Sequence, residues 1–373
     1  MRRAIVVALT GAGLTLTALL FDAAPLFVPG IALALLGVGA PLWIVLAAQG
    51  ATVQRELELR RVVEGEPLEA TLRVSAGGLR LPLADVHEPL AAAPIALPAR
   101  ARSGTVRIVV RFARRGLRHI EPPELRVRDP LELASFVRGG AGPRQELLVL
   151  PRTSPVHWVD RGGGDRHGIH AALGRPQALA AADLDGLRPY RPGTPASRIH
   201  WSALARGAGL LERRLRAEGD TRPLVVLDAR GAGPPERLDA AVRAAASLAV
   251  ALARTGGCEL LLPGDRRPAA IEADLLAWPA AHARLALIEG GPGVRAPALG
   301  SARARLGAVF YVAAQPLARL PAGAYGIARG TRALVVPGAT RGRPSFEVAG
   351  CCGYLLHGGL ARSSRGPELR AAL

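Results

Sequence analysis

Between Arg188 and Arg206 the chain reads RPYRPGTPASRIHWSALAR. Arg188, Arg191, Arg198 and Arg206 share this stretch with Tyr190, His200 and Trp201, and Pro192-Gly193 sits at its centre. Guanidinium forks hold phosphate and carboxylate groups in bidentate fashion, and Tyr, Trp and Arg are the side chains that anchor protein interfaces. One reading is therefore a cationic, aromatic pocket for a phosphate, a carboxylate or the acidic loop of a partner. The other is a clasp between two domains, with Trp201 in a core, Arg side chains on carbonyls, and Arg198 to Trp201 as an edge strand. Thr194 before Pro195 has the chemistry of a helix N-cap followed by a first-turn proline. The segment holds no nucleophile and no acid–base pair at working distance in sequence, so it assigns no catalytic residue.

Other reactive side chains are scattered. Asp165, His167 and His170 follow Gly162-Gly163-Gly164 and have the types, though not a complete set, for a metal. A flexible glycine-rich loop carrying chance histidines is the favoured reading. His87, His119 and His157-Trp158 are isolated. Cys258, Cys351 and Cys352 are the only cysteines. They form no C-x-x-C and no even set for a disulfide framework, which suits reduced, buried thiols. The sequence holds no G-x-S-x-G, H-E-x-x-H or complete G-x-G-x-x-G.

Composition removes more. The formal charge is +18, yet the 48 basic residues are all Arg, because the chain has no Lys, and it has no Asn either. Both have A-rich codons, so the arginine bias is the mark of a GC-rich genome and a weak argument for nucleic acid. An anionic membrane surface is an easier setting for such charge. Without Lys there is no Walker A loop, no pyridoxal Schiff base and no kinase-type lysine. Nothing in the sequence calls for a cofactor.

Three kinds of element must position these residues. Ala4 to Phe21 and Leu26 to Ala48 are apolar runs that, as helices, extend about 27 and 34 Å, against a hydrocarbon core of about 30 Å. Asp22 and Pro25 break them into a hairpin. Arg2 and Arg3 precede the first run, and Arg55, Arg60 and Arg61 follow the second. The positive-inside rule places both ends in the cytoplasm and the turn outside. A cleaved signal peptide is the competing reading, opposed by the second run and by the lack of a clear A-x-A site. From residue 51 to 151 the period becomes two: Leu68, Ala70, Leu72 and Val74 alternate with polar residues, as do Val106, Ile108, Val110 and Phe112, and Leu57 and Leu59. Frequent turns make this an all-β sandwich. Residues 152–222 read as a linker carrying the Arg-rich segment. Residues 223–373 alternate strand and helix: strands at Pro223–Asp228, Cys258–Leu262, Ala308–Val312 and Ala333–Val336, a helix opened by Pro234-Pro235 and closed by Gly256-Gly257, and a helical stretch over Glu272–Ile288. That pattern predicts a doubly wound α/β sheet.

The segment Arg188-x-Tyr190-x-Pro192-Gly193-Thr194, then Arg198-x-x-Trp201 and Ala205-Arg206, resembles the signature of a bacterial family known only as domain of unknown function 58 (DUF 58). Arg114-Arg115-Gly116, Asp129-Pro130-Leu131-Glu132-Leu133 and the strand Leu147 to Leu150 before Pro151 are similar to its other landmarks. Thr194 stands where the family has Asp, and Glu132 where it has Gly. The resemblance implies a von Willebrand factor A-like second domain. In such folds the first strand ends in Asp-x-Ser-x-Ser, whose oxygens hold Mg²⁺. Here it ends Asp228-Ala229-Arg230-Gly231-Ala232. Arg230 and Ala232 replace both hydroxyls, and Arg230 has no lone pair to give. The expectation is a degenerate site with no metal, Arg230 pairing with Asp228. Asp265 is either a rescuing ligand or a turn acid. With no complete catalytic constellation, the expectation is a membrane-anchored scaffold or adaptor and not an enzyme, and the resemblance implies a MoxR-type AAA+ ATPase as its protein partner. An enzyme or anion-binding protein using the Arg/Tyr/His segment is the alternative, and a nucleic-acid binder, resting on charge alone, a third.

Overall fold

A computed structural model describes residues 2–140, 142–159, 184–190, 199–207, 209–215, 222–231, 233–302, 308–325, 331–338 and 342–356. It divides into two compact units, Met1–Val149 and Leu150–Leu373.

The first unit opens with α1 (Arg2–Phe21) and α2 (Ala24–Ala48), joined through Asp22, whose φ is +49°. Both are long and apolar enough to cross a membrane. They pack antiparallel through small residues. A Cβ on Gly11 would fall 2.3 Å from Ala34 N, and one on Gly37 would fall 2.4 Å from Ala8 N. Only glycine lets the backbones approach so closely.

The rest of the unit is β-structure: β1 (Thr52–Leu57), β2 (Arg61–Val63), β3 (Pro67–Ser75), β4 (Leu83–His87), β5 (Ile95–Ala96), β6 (Ser103–Arg111), β7 (Gly116–Ile120), β8 (Glu124–Arg128), β9 (Ser135–Gly139) and β10 (Gln145–Leu150). They form antiparallel sheets in the orders β1-β3-β6, β2-β10-β7 and β5-β4-β8-β9. Alternation along β3 buries Leu68, Ala70, Leu72 and Val74. Leu72 and Val74 share a core with Val86, Leu125 and Val127, while Leu68 packs with Val62, Ile120, Leu147 and Val149. The first sheet thus faces both of the others. Leu59, which the alternation would have put inside, is exposed because β1 ends at Leu57.

Two expectations about the membrane end need correction. The second run is apolar along its whole length, but its end does not all face outward: Ile44 and Ala48 are buried in the β-core. Its last turn therefore belongs to the folded domain, and Arg138 Nη1 donates to the Ala48 carbonyl there. Arg55 is not a flanking surface charge either. It is buried, and its guanidinium donates to Glu88 Oε1 at 2.5 Å, Gln145 Oε1 at 2.9 Å and the carbonyls of Ile120 and Glu121. Arg60 and Arg61 remain exposed.

In the second unit, β11 (His157–Trp158) is followed by the two-stranded ribbon β12 (Leu184–Pro189) and β13 (Leu211–Leu215), with the one-turn α3 (Trp201–Ala205) between them. Then come β14 (Leu224–Asp228), α4 (Pro235–Gly256), β15 (Cys258–Leu261), β16 (Ala269–Ile271), α5 (Trp278–Ala286), β17 (Val309–Ala313), α6 (Ala322–Tyr325), β18 (Arg332–Pro337), β19 (Phe346–Val348) and β20 (Cys351–Leu356). Eight strands make one sheet in the order β11-β19-β20-β18-β17-β14-β15-β16. Its centre, β15-β14-β17-β18, is parallel, and both edges are antiparallel. β14 and β17 are buried at every residue, as strands covered on both faces must be. α4 lays Leu238, Val242, Ala245, Ala249 and Leu252 on one face of the sheet, its alanines allowing close approach. Leu299, Leu317, Leu320 and Ala324 cover the other.

Candidate functional site

The parallel order β15-β14-β17-β18 reverses direction at β14, and the crevice beyond the carboxyl ends of β14 and β17 is where open α/β sheets bind ligands. Asp228 ends β14 there, register partner of Ala313, and its side chain is 1% exposed. Arg230 folds back onto it. Nε donates to Asp228 Oδ1 at 2.9 Å and Nη2 to Oδ2 at 2.8 Å, while the Arg230 backbone N–H reaches Oδ1 at 3.1 Å. The Tyr311 hydroxyl, from the middle of β17, donates to Oδ2 at 2.6 Å. Gly231, at φ +55°, takes the chain away, and a Cβ on it would fall 2.4 Å from Gln315 Oε1. The glycine leaves room for Gln315 beside the site.

Burial pushes the Asp228 carboxyl up, but hydrogen bonds from the Arg230 side chain, the Tyr311 hydroxyl and the Arg230 backbone outweigh it and hold it below its ordinary value. Burial, and next the carboxylate it serves, push the Tyr311 hydroxyl up, and the hydrogen bond to Asp228 raises the Arg230 guanidinium. All three groups are thus fixed in one protonation state at neutral pH. The Arg230 side chain is 38% exposed. The arrangement presents the open edge of a tethered guanidinium to solvent, which suits binding an anion and not moving a proton.

The donor set does not fit Mg²⁺. Both Asp228 oxygens are already bonded to cationic or hydroxyl donors, Arg230 offers no lone pair, and position 232 is Ala. Asp265 is held as a turn acid: it accepts from Leu262 N at 3.2 Å and forms an ion pair with Arg284.

The Arg-rich segment is placed in part. Arg188 lies on β12 opposite Glu212 of β13, and Tyr190 N donates to the Leu210 carbonyl at 3.0 Å. His200 N donates to the Leu211 carbonyl at 2.9 Å, so the ribbon draws Arg188, Tyr190 and His200 to one place in the chain. Arg191, Pro192, Gly193, Thr194 and Arg198 lie outside the described residues, as do Asp165, His167 and His170. Two expectations fail. Trp201 is in no core: it is 57% exposed. Nor does it continue a strand, since His200 caps α3 there, its Nδ1 accepting from Ala203 N at 3.1 Å. Arg206 is exposed at the end of the same helix.

Sequence reasoning passed over Tyr311. A phenol among the apolar residues of VFYVA was the available signal. His282 was missed too: it is buried, Nε2 bonds the Pro151 carbonyl at 2.7 Å, and its ring stacks on Trp278. The adjacent Cys351 and Cys352 face opposite sides of the sheet. Burial pushes the thiols of Cys351 and Cys258 up to about 12 and also raises Cys352, so all three stay protonated. Among the described residues no cluster of three or more His, Cys, Asp or Glu has the makings of a metal site.

Compared with known proteins, the chain matches no family model and no curated protein.

Proposed function

We propose that the chain is a membrane-anchored scaffold or adaptor. In this reading α1 and α2 cross the bilayer, the Asp22 turn lies outside, and both termini and the soluble domains are cytoplasmic. The second unit is read as von Willebrand factor A-like and the whole as a DUF 58 protein. It offers the carboxyl edge of its parallel strands to a protein partner, a MoxR-type AAA+ ATPase. One observation carries the proposal: at the point where the strand order reverses, the carboxylate that would hold a cation is neutralised by Arg230 and Tyr311. What is left for a partner is the outward N–H edge of a held guanidinium, a donor matched to an acidic side chain. The reading assigns no catalytic residue and no cofactor.

A second reading makes the Arg/Tyr/His segment the anion or partner site. Its specific support is Trp201, a large aromatic left exposed on a short, well-capped helix, as interface anchors are.

The test uses the full-length chain, affinity-tagged and held in nanodiscs, with each purified MoxR-type ATPase of the source genome, with and without ATP. The expected result is stoichiometric retention of one of them. Retention of none removes the partner assignment. If Trp201→Ala abolishes retention with an unchanged melting temperature, the segment is part of the contact; unchanged retention removes the second reading.

A further inference from the structure

The segment Asp129-Pro130-Leu131-Glu132-Leu133-Ala134 is a rigid loop with an apolar tip. Asp129 is 2% exposed, and its carboxylate accepts from Leu131 N at 2.7 Å and from Ala134 N at 2.5 Å. Glu132 N donates to the Asp129 carbonyl at 3.0 Å, and Glu132 takes a left-handed φ of +55°. Such a backbone is costly for a residue other than glycine and persists when its surroundings fix it. The result is that Leu131 points outward, 60% exposed.

What lies beside it is α2. Leu35, Leu36, Gly39, Ala40 and Trp43 line a groove of about 360 Å³ with Asp129, Pro130 and Leu131. The depth of that groove can be set from the hairpin. Gly37 abuts Ala4 and Ala8, and Gly11 abuts Gly30 and Ala34, so the antiparallel pairing puts Arg3 level with Ala40. Arg3 also forms an ion pair with Glu132 at 3.5 Å. The charged pair marks one level, with Trp43 on its domain side, where interfacial tryptophans gather. Leu35 and Leu36 lie about 6–8 Å further along the helix, away from the β-domain, at 1.5 Å per residue.

We propose that the Asp129–Ala134 loop dips into the cytoplasmic leaflet, with Leu131 at the top of the hydrocarbon beside α2 and a lipid acyl chain filling the groove. Arg3 and Glu132 then sit among the headgroups. The β-domain is held to the bilayer at two points, the end of α2 buried in its core and this loop, so its orientation on the membrane is fixed. The proposal rests on the reading of α1 and α2 as membrane-spanning.

The experiment attaches an environment-sensitive fluorophore to single cysteines in the full-length chain, in a Cys352→Ser background. The sites are Leu131→Cys, Leu16→Cys on the exposed face of α1 and Leu276→Cys, which is 83% exposed in the second unit. The protein is placed in nanodiscs containing lipids brominated near the top or near the end of the acyl chain. Melting temperatures matching the parent verify that each variant folds. The expected result at position 131 is blue-shifted emission, quenched more by the shallow bromines than by the deep ones, with lipid-like emission at 16 and water-like emission at 276. Water-like emission at 131 with lipid-like emission at 16 overturns the dipping loop and leaves the anchor standing. Water-like emission at both overturns the anchor and the loop with it. Blue-shifted emission at 131 without bromine quenching places Leu131 against protein and also overturns the proposal.

Discussion

Asp228 has no oxygen to spare. Arg230 and Tyr311 engage both, and the carboxylate is held ionised below its ordinary range. A calorimetric titration of the whole protein with Mg²⁺ is expected to give no tight stoichiometric binding, whereas a clear one-to-one isotherm would mean that Arg230 leaves the site for the ion. His282 makes a second prediction at this scale. Burial lowers it from its ordinary 6.5, with the Pro151 hydrogen bond opposing. The fold therefore favours neutral imidazole, and the unfolded chain takes up a proton that the native state refuses. The contribution is complete above about pH 6.5 and is lost as pH falls below it. The melting temperature should drop between pH 7.5 and pH 5.5, and drop less in His282→Gln. Equal drops in the two proteins would remove His282 as the cause. Asp228 adds acid sensitivity only below its ordinary value of 3.8, being the group with the depressed value.

At the scale of elements, the hairpin is the most sequence-determined part of the chain, because its two long apolar runs and the break between them are set by composition alone. Its packing supplies a paired test. A side chain at Gly37 meets the Ala8 backbone, while Gly13 has nothing within 4 Å. Gly37→Leu should lower the melting temperature and the yield of monodisperse protein in detergent, and Gly13→Leu should leave both near the parent. Equal effects would refute the close crossing. The alternation that builds β3 and the three-and-four spacing that buries Leu238, Val242, Ala245 and Leu252 on α4 were legible for the same reason: each is a local periodicity with a physical meaning. What was not legible depends on distant residues. β16, β19 and β20 are antiparallel additions to the parallel centre, two of them only three residues long. β19 is held in part by Phe346, whose ring lies over its register partner Gly353. Arg55 read as a membrane flank because its partner Glu88 is far away in sequence. Tyr311 was invisible as a site residue because only the β14–β17 register brings it to Asp228. At the candidate site the sequence pointed to Asp228 and Arg230, while for the Arg-rich segment, prominent as a string, the clasp reading put Trp201 in a core, and it is exposed.

For the whole molecule, the charge of +18 divides into arginines with different employment. Arg55 sits in the β-core, where Glu88 and two backbone carbonyls satisfy it. Arg3, Arg73, Arg128, Arg222 and Arg284 pair with carboxylates. Arg230 stands apart because the carboxylate that holds it, Asp228, is buried while its own side chain is 38% exposed. In the proposed scaffold this side chain is the point where a membrane-held platform meets an acidic partner. Electrostatic contacts of this kind govern association rate and partner choice. The decisive measurement is the affinity of the retained ATPase for the nanodisc-held chain, compared between the parent and Arg230→Glu at 50 and 300 mM salt, with matched melting temperatures. The expected result is at least about a tenfold weakening in Arg230→Glu at low salt, or about 1.4 kcal/mol, narrowing at high salt. Equal affinity of the two proteins at low salt would contradict it.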